Sequence, residues 1–266
     1  MNTLVKEFVE RCKEEFEPLG FIRKGESFVR VRNDVVQVFS LFRFASNHCC
    51  TINCGVYPIC SKVLSIDVGR YDSKYWESVP NSGQWMYFCD EDDTIHRCVG
   101  EIITTITKHI IPFFDRATDS NSAFNECIKL EELFFYNRKK QLEAEGRKDC
   151  SDSTHLYFVH FFDYDKYYMS LKNKNYDFAI KFLKLMMERE VESYNYYNLQ
   201  KNERPDDKIF YQERIVKSKQ IIDCYKEKIR LLESGCYDSF NEEIVQNEEK
   251  NKKALKRYIS KKNSNK

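Results

Sequence analysis

The side chains best suited to chemistry are crowded into one stretch of this 266-residue chain: His48, Cys49, Cys50, Cys54 and Cys60. Thiolate and imidazole are zinc donors, and a zinc site takes four of them in a tetrahedron, commonly as two close pairs. The pairing fails here. Cys49 and Cys50 are adjacent, and in a strand adjacent side chains point to opposite faces. Cys54 shares a face with Cys50 among Ile52 and Val56, where cysteine acts as a small buried hydrophobe. No metal is expected. A Cys–His nucleophile needs a depressed thiol pKa and a base in reach. With eleven Cys and five His in the chain, some pair arises by chance. His155 and His160 are five residues apart, which places them on different faces of a helix, and His109 falls on a helix flank. No catalytic residue is expected. The eight glycines form neither GxGxxG nor a GK[ST] loop, so no nucleotide cofactor is expected either.

Two groups remain as candidate partner-binding residues. Asp90, Glu91, Asp92 and Asp93 precede a helical stripe, where carboxylates suit the positive end of a helix and no EF-hand spacing is present. The same four residues form the densest single-sign cluster of residues 1–246 and offer a contact for a basic surface. Tyr196 and Tyr197 stand off the core spacing of their helix, and tyrosine is enriched where proteins meet. The other aromatics, among 20 Phe and 17 Tyr, mostly fall at core spacing.

Charge distribution points the same way. The formal net charge is +1, but residues 1–246 carry −5 and residues 247–266 carry +6. A mildly acidic body is a poor phosphate binder, because nucleic-acid affinity rests largely on neutralising phosphates. A protein partner, basic in character, is therefore expected ahead of nucleic acid. No apolar run approaches the ~18 residues of a membrane helix. Lys6, Glu7, Glu10, Arg11, Lys13 and Glu14 exclude a secretory h-region. The expectation is a cytoplasmic protein with reduced thiols and no membrane association.

These residues are positioned by elements that the periodicity makes legible. Leu4, Phe8, Cys12 and Phe16 step by four, giving a helix over 3–17 that Pro18 and Gly20 stop. The period then changes to two. Ser27–Arg32 and Val35–Phe44 read as strands about an Asn33-Asp34 turn, and 50–58 as a third, forming an antiparallel meander with one face toward a core. Ile95, Cys98, Val99, Ile102, Ile103, Ile106 and Ile110 form one stripe of a helix over 94–111, ended by Pro112. Another helix covers roughly 122–145. Gly146–Ser153 has no periodicity and reads as a boundary. Beyond it lie four helices, about 154–172, 175–201, 206–234 and 238–260. The second has a seam of Tyr176, Ile180, Leu183, Met187, Val191 and Tyr194. The third has one of Tyr211, Ile215, Ser218, Ile222, Tyr225, Ile229 and Leu232.

Three motifs in the first half resemble a family known only as domain-of-unknown-function family 4304, a bacterial one. They are LGFIRKGESFVR (Leu19–Arg30), TINCGVY (Thr51–Tyr57) and IIPFFD (Ile110–Asp115). The resemblance implies an α+β domain and brings no activity and no site residues with it. Leu171–Lys184 is similar to the junction of two helices in a single tetratricopeptide-like helical hairpin, with Ala179 at the small-residue position. No second copy follows 34 residues on.

The expected fold is α+β: an N-terminal antiparallel sheet packed with helices over 1–146, an all-helical module over 154–246, and a basic, frayed tail over 247–266. The expected function is a non-enzymatic protein-interaction module, of the kind found in bacterial immunity or defence. The alternative is an enzyme or nucleic-acid-associated protein whose site is assembled from distant residues.

Overall fold

The computed structural model describes residues 3–43, 49–62, 71–72, 87–88, 92–129, 132 and 163–259. The chain divides into two compact units. The first comprises Met1–Tyr157 and Asn247–Lys266, and the second Phe158–Gln246. The second is thus an insertion in the chain of the first, and each is described by itself.

The first unit begins with α1 (Thr3–Phe16), whose stripe Leu4, Val5, Phe8, Val9, Cys12 and Phe16 is buried. The strands β1 (Ile22–Lys24), β2 (Ser27–Arg32), β3 (Val35–Arg43) and β4 (Cys49–Pro58) follow, then the two-residue strands β5 (Tyr71–Asp72) and β6 (Tyr87–Phe88). All pair antiparallel in the order β1-β2-β3-β4-β5, with β6 also pairing β4. Asn33 turns the β2–β3 hairpin at a φ of 45°, a conformation asparagine tolerates better than most residues. Register places Phe28 opposite Phe39, and Phe39 opposite Cys54. This face packs on α1, with the Phe8 ring edge-on to Phe28 at 6.2 Å and the Phe16 ring edge-on to Phe39 at 5.2 Å.

Both faces of the sheet are covered, not one. On the far face Val29, Val36, Val38 and Tyr57 form a second core with Ile59, closed by Leu255 and Tyr258. Helix α8 (Asp238–Ala254) runs into the first unit, and the single turn α9 (Lys256–Ile259) follows it. Residues 247–259 therefore differ from the frayed tail expected for 247–266. Asn251, Leu255 and Tyr258 lie four and three apart, on one face of helical chain, and all three are buried. The charged residues between them hide this apolar stripe in the composition.

The helix expected over 94–111 also changes. Helix α2 (Asp92–Thr105) passes into a π-turn at Ile106–Ile110, and α3 (Ile111–Arg116) continues beyond Pro112. Proline lacks the N–H for an i→i−4 bond and ordinarily breaks a helix. Here the wider turn comes first, with the Ile111 N–H donating to the Ile106 carbonyl, and Pro112 falls in the first turn of α3, where no donor is needed. Helix α4, described over residues 120–129, begins at a cap in which Asp119 Oδ1 accepts from the Ser122 N–H at 2.9 Å. Asp34 in the hairpin turn accepts from the Ser120 N–H at 2.9 Å and from its hydroxyl.

In the second unit, α5 (Asp163–Lys172), α6 (Tyr176–Glu203), α7 (Lys208–Glu233) and the first part of α8 follow one another. Lys174, at a φ of 56°, turns the chain between α5 and α6, and the Asn175 side chain caps α6. The short 3₁₀ turn Pro205–Asp207 reverses it into α7. The two long helices run antiparallel: Lys184 pairs with Glu233 at 2.9 Å near one end, and Tyr197 faces Tyr211 at 6.4 Å near the other. The buried seam of α7 is Tyr211, Ile215, Ser218, Ile222, Tyr225, Ile229 and Leu232, as its spacing required. In α6 the buried residues are Ala179, Phe182, Leu183, Met186 and Arg189, while Val191 is exposed. Its seam is rotated from the expected one, because so many of its positions are apolar or aromatic. Among the described residues no helix is long and apolar enough to cross a membrane. The boundary expected at Gly146–Ser153 lies outside the described residues.

Candidate interaction surface

Two of the three motifs singled out in the sequence meet at one buried cluster in the first unit. Arg30 on β2 is almost fully buried and faces Gln37 across the hairpin. Its Nε donates to Gln37 Oε1 at 2.7 Å, one Nη to the Leu19 carbonyl at 3.3 Å, and the other to Asp115 Oδ1 at 2.9 Å. The guanidinium also lies over the Phe21 ring at 4.5 Å. Gln37 Nε2 donates to the carbonyls of Phe114 at 2.5 Å and Ala117 at 2.9 Å, which terminate α3. Gly20 carries the adjoining turn at a φ of +90°, a region open to glycine. Burial pulls the Arg30 pKa down, and the bond to Asp115 opposes it. The arrangement satisfies the free carbonyls at the end of a helix and fixes that end against the sheet. Its donors are met by the protein's own carbonyls and side chains, so its role is architectural.

The second unit also has a polar interior. The hydroxyls of Tyr164 and Tyr225 are hydrogen-bonded to each other. Tyr168 donates to Glu243 at 2.6 Å, and the same carboxylate receives Lys228 at 3.1 Å. The Lys228 ammonium lies over the Tyr167 ring at 5.4 Å. Burial pushes the Tyr167 and Tyr225 phenols upward, which keeps both neutral. Asp165, Lys166 and Arg189 are buried on α5 and α6, and each has interaction partners. These groups stitch helices together.

What the second unit does present outward is apolar. Near the α6–α7 turn Tyr196 is 53% exposed, Leu199 62% and Ile209 78%, and Phe210 and Val216 are exposed beside them. Tyr196 sits edge-on to Tyr197 at 5.7 Å. On α7, Ile209, Glu213, Val216 and Gln220 follow helical spacing on the side opposite the buried seam. A hollow of about 700 Å³ opens along this side, lined among the described residues by Ile209, Gln212, Val216, Lys208, Glu213 and Lys217. Isolated exposed apolar residues need no explanation, but several at one end of a helix pair, with charged residues at the rim, have the make-up of a docking surface.

The sequence-derived site residues are placed unequally. Tyr196 is exposed and Tyr197 half-buried on α6, whereas the described residues that line the hollow all belong to α7. Asp92 and Asp93 open α2 in the first unit, and Asp90 and Glu91 lie outside the described residues. The tyrosines and the acidic run thus belong to different units. Leu199, Ile209, Phe210 and Val216 were not singled out beforehand, yet they carried a signal. Ile209 and Val216 are seven apart and lie off the regular α7 seam, which leaves two apolar residues unaccounted for by the core. Among the described residues no group of three or more His, Cys, Asp or Glu side chains could hold a metal ion. Cys50, Cys54 and Cys60 are buried. His48 lies outside the described residues. Burial pushes the Cys12 thiol upward, away from the nucleophilic thiolate. Cys98, expected as a reduced thiol, is engaged in a disulfide.

Residues 12–116 match the model of a family described as a domain of unknown function (DUF4304). The match takes in all three motifs. The parts of the first unit outside it include most of α1 and the whole of residues 247–259 that close the far face of the sheet. Among curated proteins and among solved structures nothing matches the chain.

Proposed function

We propose that this chain is a non-enzymatic protein-interaction module, a DUF4304-type domain carrying an inserted helical unit whose α6–α7 end contacts the partner. The observation that carries the reading is Ile209, Phe210 and Val216 on α7, large apolar side chains kept in water, with Tyr196 and Leu199 exposed towards the end of α6. Each such side chain withdrawn from water on binding contributes about 25 cal/mol per Å² of apolar area, and aromatic residues among them are the usual anchors. Arg214 lies over the Phe210 ring at 5.1 Å, a pair typical of interface centres. The acidic run Asp90–Asp93 adds long-range attraction for a basic partner, acting on association rate more than on residence time. In a bacterial cytoplasm the module would mask its partner by occupying a surface, as immunity- and defence-type proteins do.

The test uses the full chain with a photo-reactive amino acid at residue 199 or 209, exposed to lysate of the native host. The expected result is one dominant cross-linked protein at both positions, lost in the Ile209→Asp, Phe210→Asp double variant. Cross-linking that is diffuse, or unaffected by the double variant, would sink the proposal.

A further inference from the structure

Residues 247–259 were expected as a loose basic tail; docked, they become a positioned one. Asn251, Leu255 and Tyr258 face the sheet. Their helical spacing forces the residues between them outward. Lys250, Lys253, Lys256 and Arg257 are all exposed. Helical bonds continue through the junction of α8 and α9, with the Leu255 N–H donating to the Asn251 carbonyl at 2.9 Å. Lys250, Lys253 and Lys256 therefore form a row at i, i+3 and i+6, rising about 9 Å along the axis.

The row is only partly neutralised by its own chain, through the exposed Glu249 four residues before Lys253. Lys252 pairs with Glu248 at 3.0 Å, but among the described residues Lys250, Lys253, Lys256 and Arg257 have no ion pair. Like charges three and four apart on a helix repel by about 0.2–0.5 kcal/mol a pair, so the row costs stability unless an external anion meets it. Its chemistry also selects among anions. Lysine is depleted where proteins meet, whereas lysine and arginine are the residues that contact phosphate. Apart from Ile259, the exposed residues of Lys250–Ile259 offer almost no apolar area for a protein anchor. Along one nucleic-acid strand the charges recur every ~3.4 Å, so a 9 Å row meets about three of them.

We infer that this docked segment is a phosphate-backbone contact, taking duplex nucleic acid without sequence preference through Lys250, Lys253, Lys256 and Arg257. It is distinct from the apolar surface of the inserted unit and does not depend on it. The reversal from the sequence expectation comes from placement. The acidity of the rest of the chain is an average, while phosphate meets only the local row.

Fluorescence anisotropy of the full chain with a labelled 20-base-pair DNA of mixed sequence tests the inference, over 25–200 mM salt. Three to four neutralised phosphates predict a slope of about −3 in log affinity against log salt. The Lys250→Gln, Lys253→Gln, Lys256→Gln variant should lose most of that slope, at roughly one unit per lysine. The Lys184→Gln variant, on α6, should keep it. Circular dichroism would establish that the triple variant is folded, since all three side chains are exposed. No binding of DNA at 25 mM salt, an unchanged slope in the triple variant, or capture by phosphatidylserine vesicles without capture of DNA would each overturn the inference.

Discussion

Leu255→Ala puts the closure of the far sheet face to a quantitative test. The side chain is fully buried against Val29, Val36, Val38, Tyr57 and Ile59. Truncating a leucine so placed costs about 2–5 kcal/mol, as lost transfer energy plus the cavity left behind. Three neighbouring substitutions calibrate the reading. Asn251→Ala removes a side chain whose Nδ2 donates to the carbonyls of Ile59 and Ser61, both at 2.7 Å. It leaves two acceptors without a partner, at about 1–3 kcal/mol. Tyr258→Phe should be neutral or slightly stabilising, because the buried hydroxyl makes no hydrogen bond. Val245→Ala, at an exposed position of α8, should change stability by less than about 0.5 kcal/mol. Leu255 and Asn251 act on one contact, so the double variant should cost less than the sum. Urea unfolding followed by tryptophan fluorescence is the assay, since Trp76 and Trp85 both belong to the chain of the first unit. With a slope of about 2 kcal/mol/M, Leu255→Ala should lower the midpoint by roughly 1–2.5 M. If it matches Val245→Ala, residues 247–259 do not close the sheet. On this reasoning, removing residues 247–266 is no neutral truncation: it uncovers an apolar sheet face, and any loss of binding it causes is confounded by unfolding.

The Arg30 cluster predicts an order rather than a single value: Arg30→Met should destabilise the chain by about 2–4 kcal/mol, since it strips the Leu19 carbonyl and Gln37 of a buried donor. Asp115→Asn, at a side chain 56% exposed, should cost no more than about 1 kcal/mol by the same urea titration, and the reverse order would refute the clamp. Glu126 predicts a pH dependence. Burial would raise its pKa, but hydrogen bonds from Arg116 at 2.7 Å and Lys129 at 2.9 Å outweigh that and hold it below the ordinary value. A depressed folded pKa gives stability that is present above the unfolded carboxyl's pKa, about 4.3. That stability is lost as pH falls through the lower folded value. The difference between wild type and Glu126→Gln, no more than about 1 kcal/mol because both cations are exposed, should therefore be constant near neutrality and vanish in acid; a difference that grows on acidification would contradict the sign.

Elements governed by one period were legible in the sequence. Every residue of the α7 seam is buried, because there a single face decides burial and the solvent face is plainly polar; the alternation of Ser27–Arg32 placed β2 as a strand although its residues are buried on both faces. Where two faces are buried, or two constraints compete, the same reasoning fails for identifiable causes. The far face of the sheet was missed because its cover comes from residues 251–258, some two hundred positions away, through three side chains set among lysines. Pro112 was read as a stop because a local rule cannot anticipate the π-turn that supplies the missing spacing ahead of it. The apolar surface near the α6–α7 turn was half legible. Tyr196 and Tyr197 stood out as tyrosines off the seam and Ile209 and Val216 fall off the α7 seam, while Leu199 looks like a core residue until the helix pair fixes which side is inward. The buried Arg30 cluster went unseen although two of the motifs that carry the family resemblance meet there. A motif marks what a fold cannot do without, and here that is the joining of a helix end to a sheet. The residues that meet other molecules must then be sought outside the motifs, in the inserted helices and in the segment that returns to cover the sheet. There the chain leaves apolar and basic groups facing water that its own packing does not use.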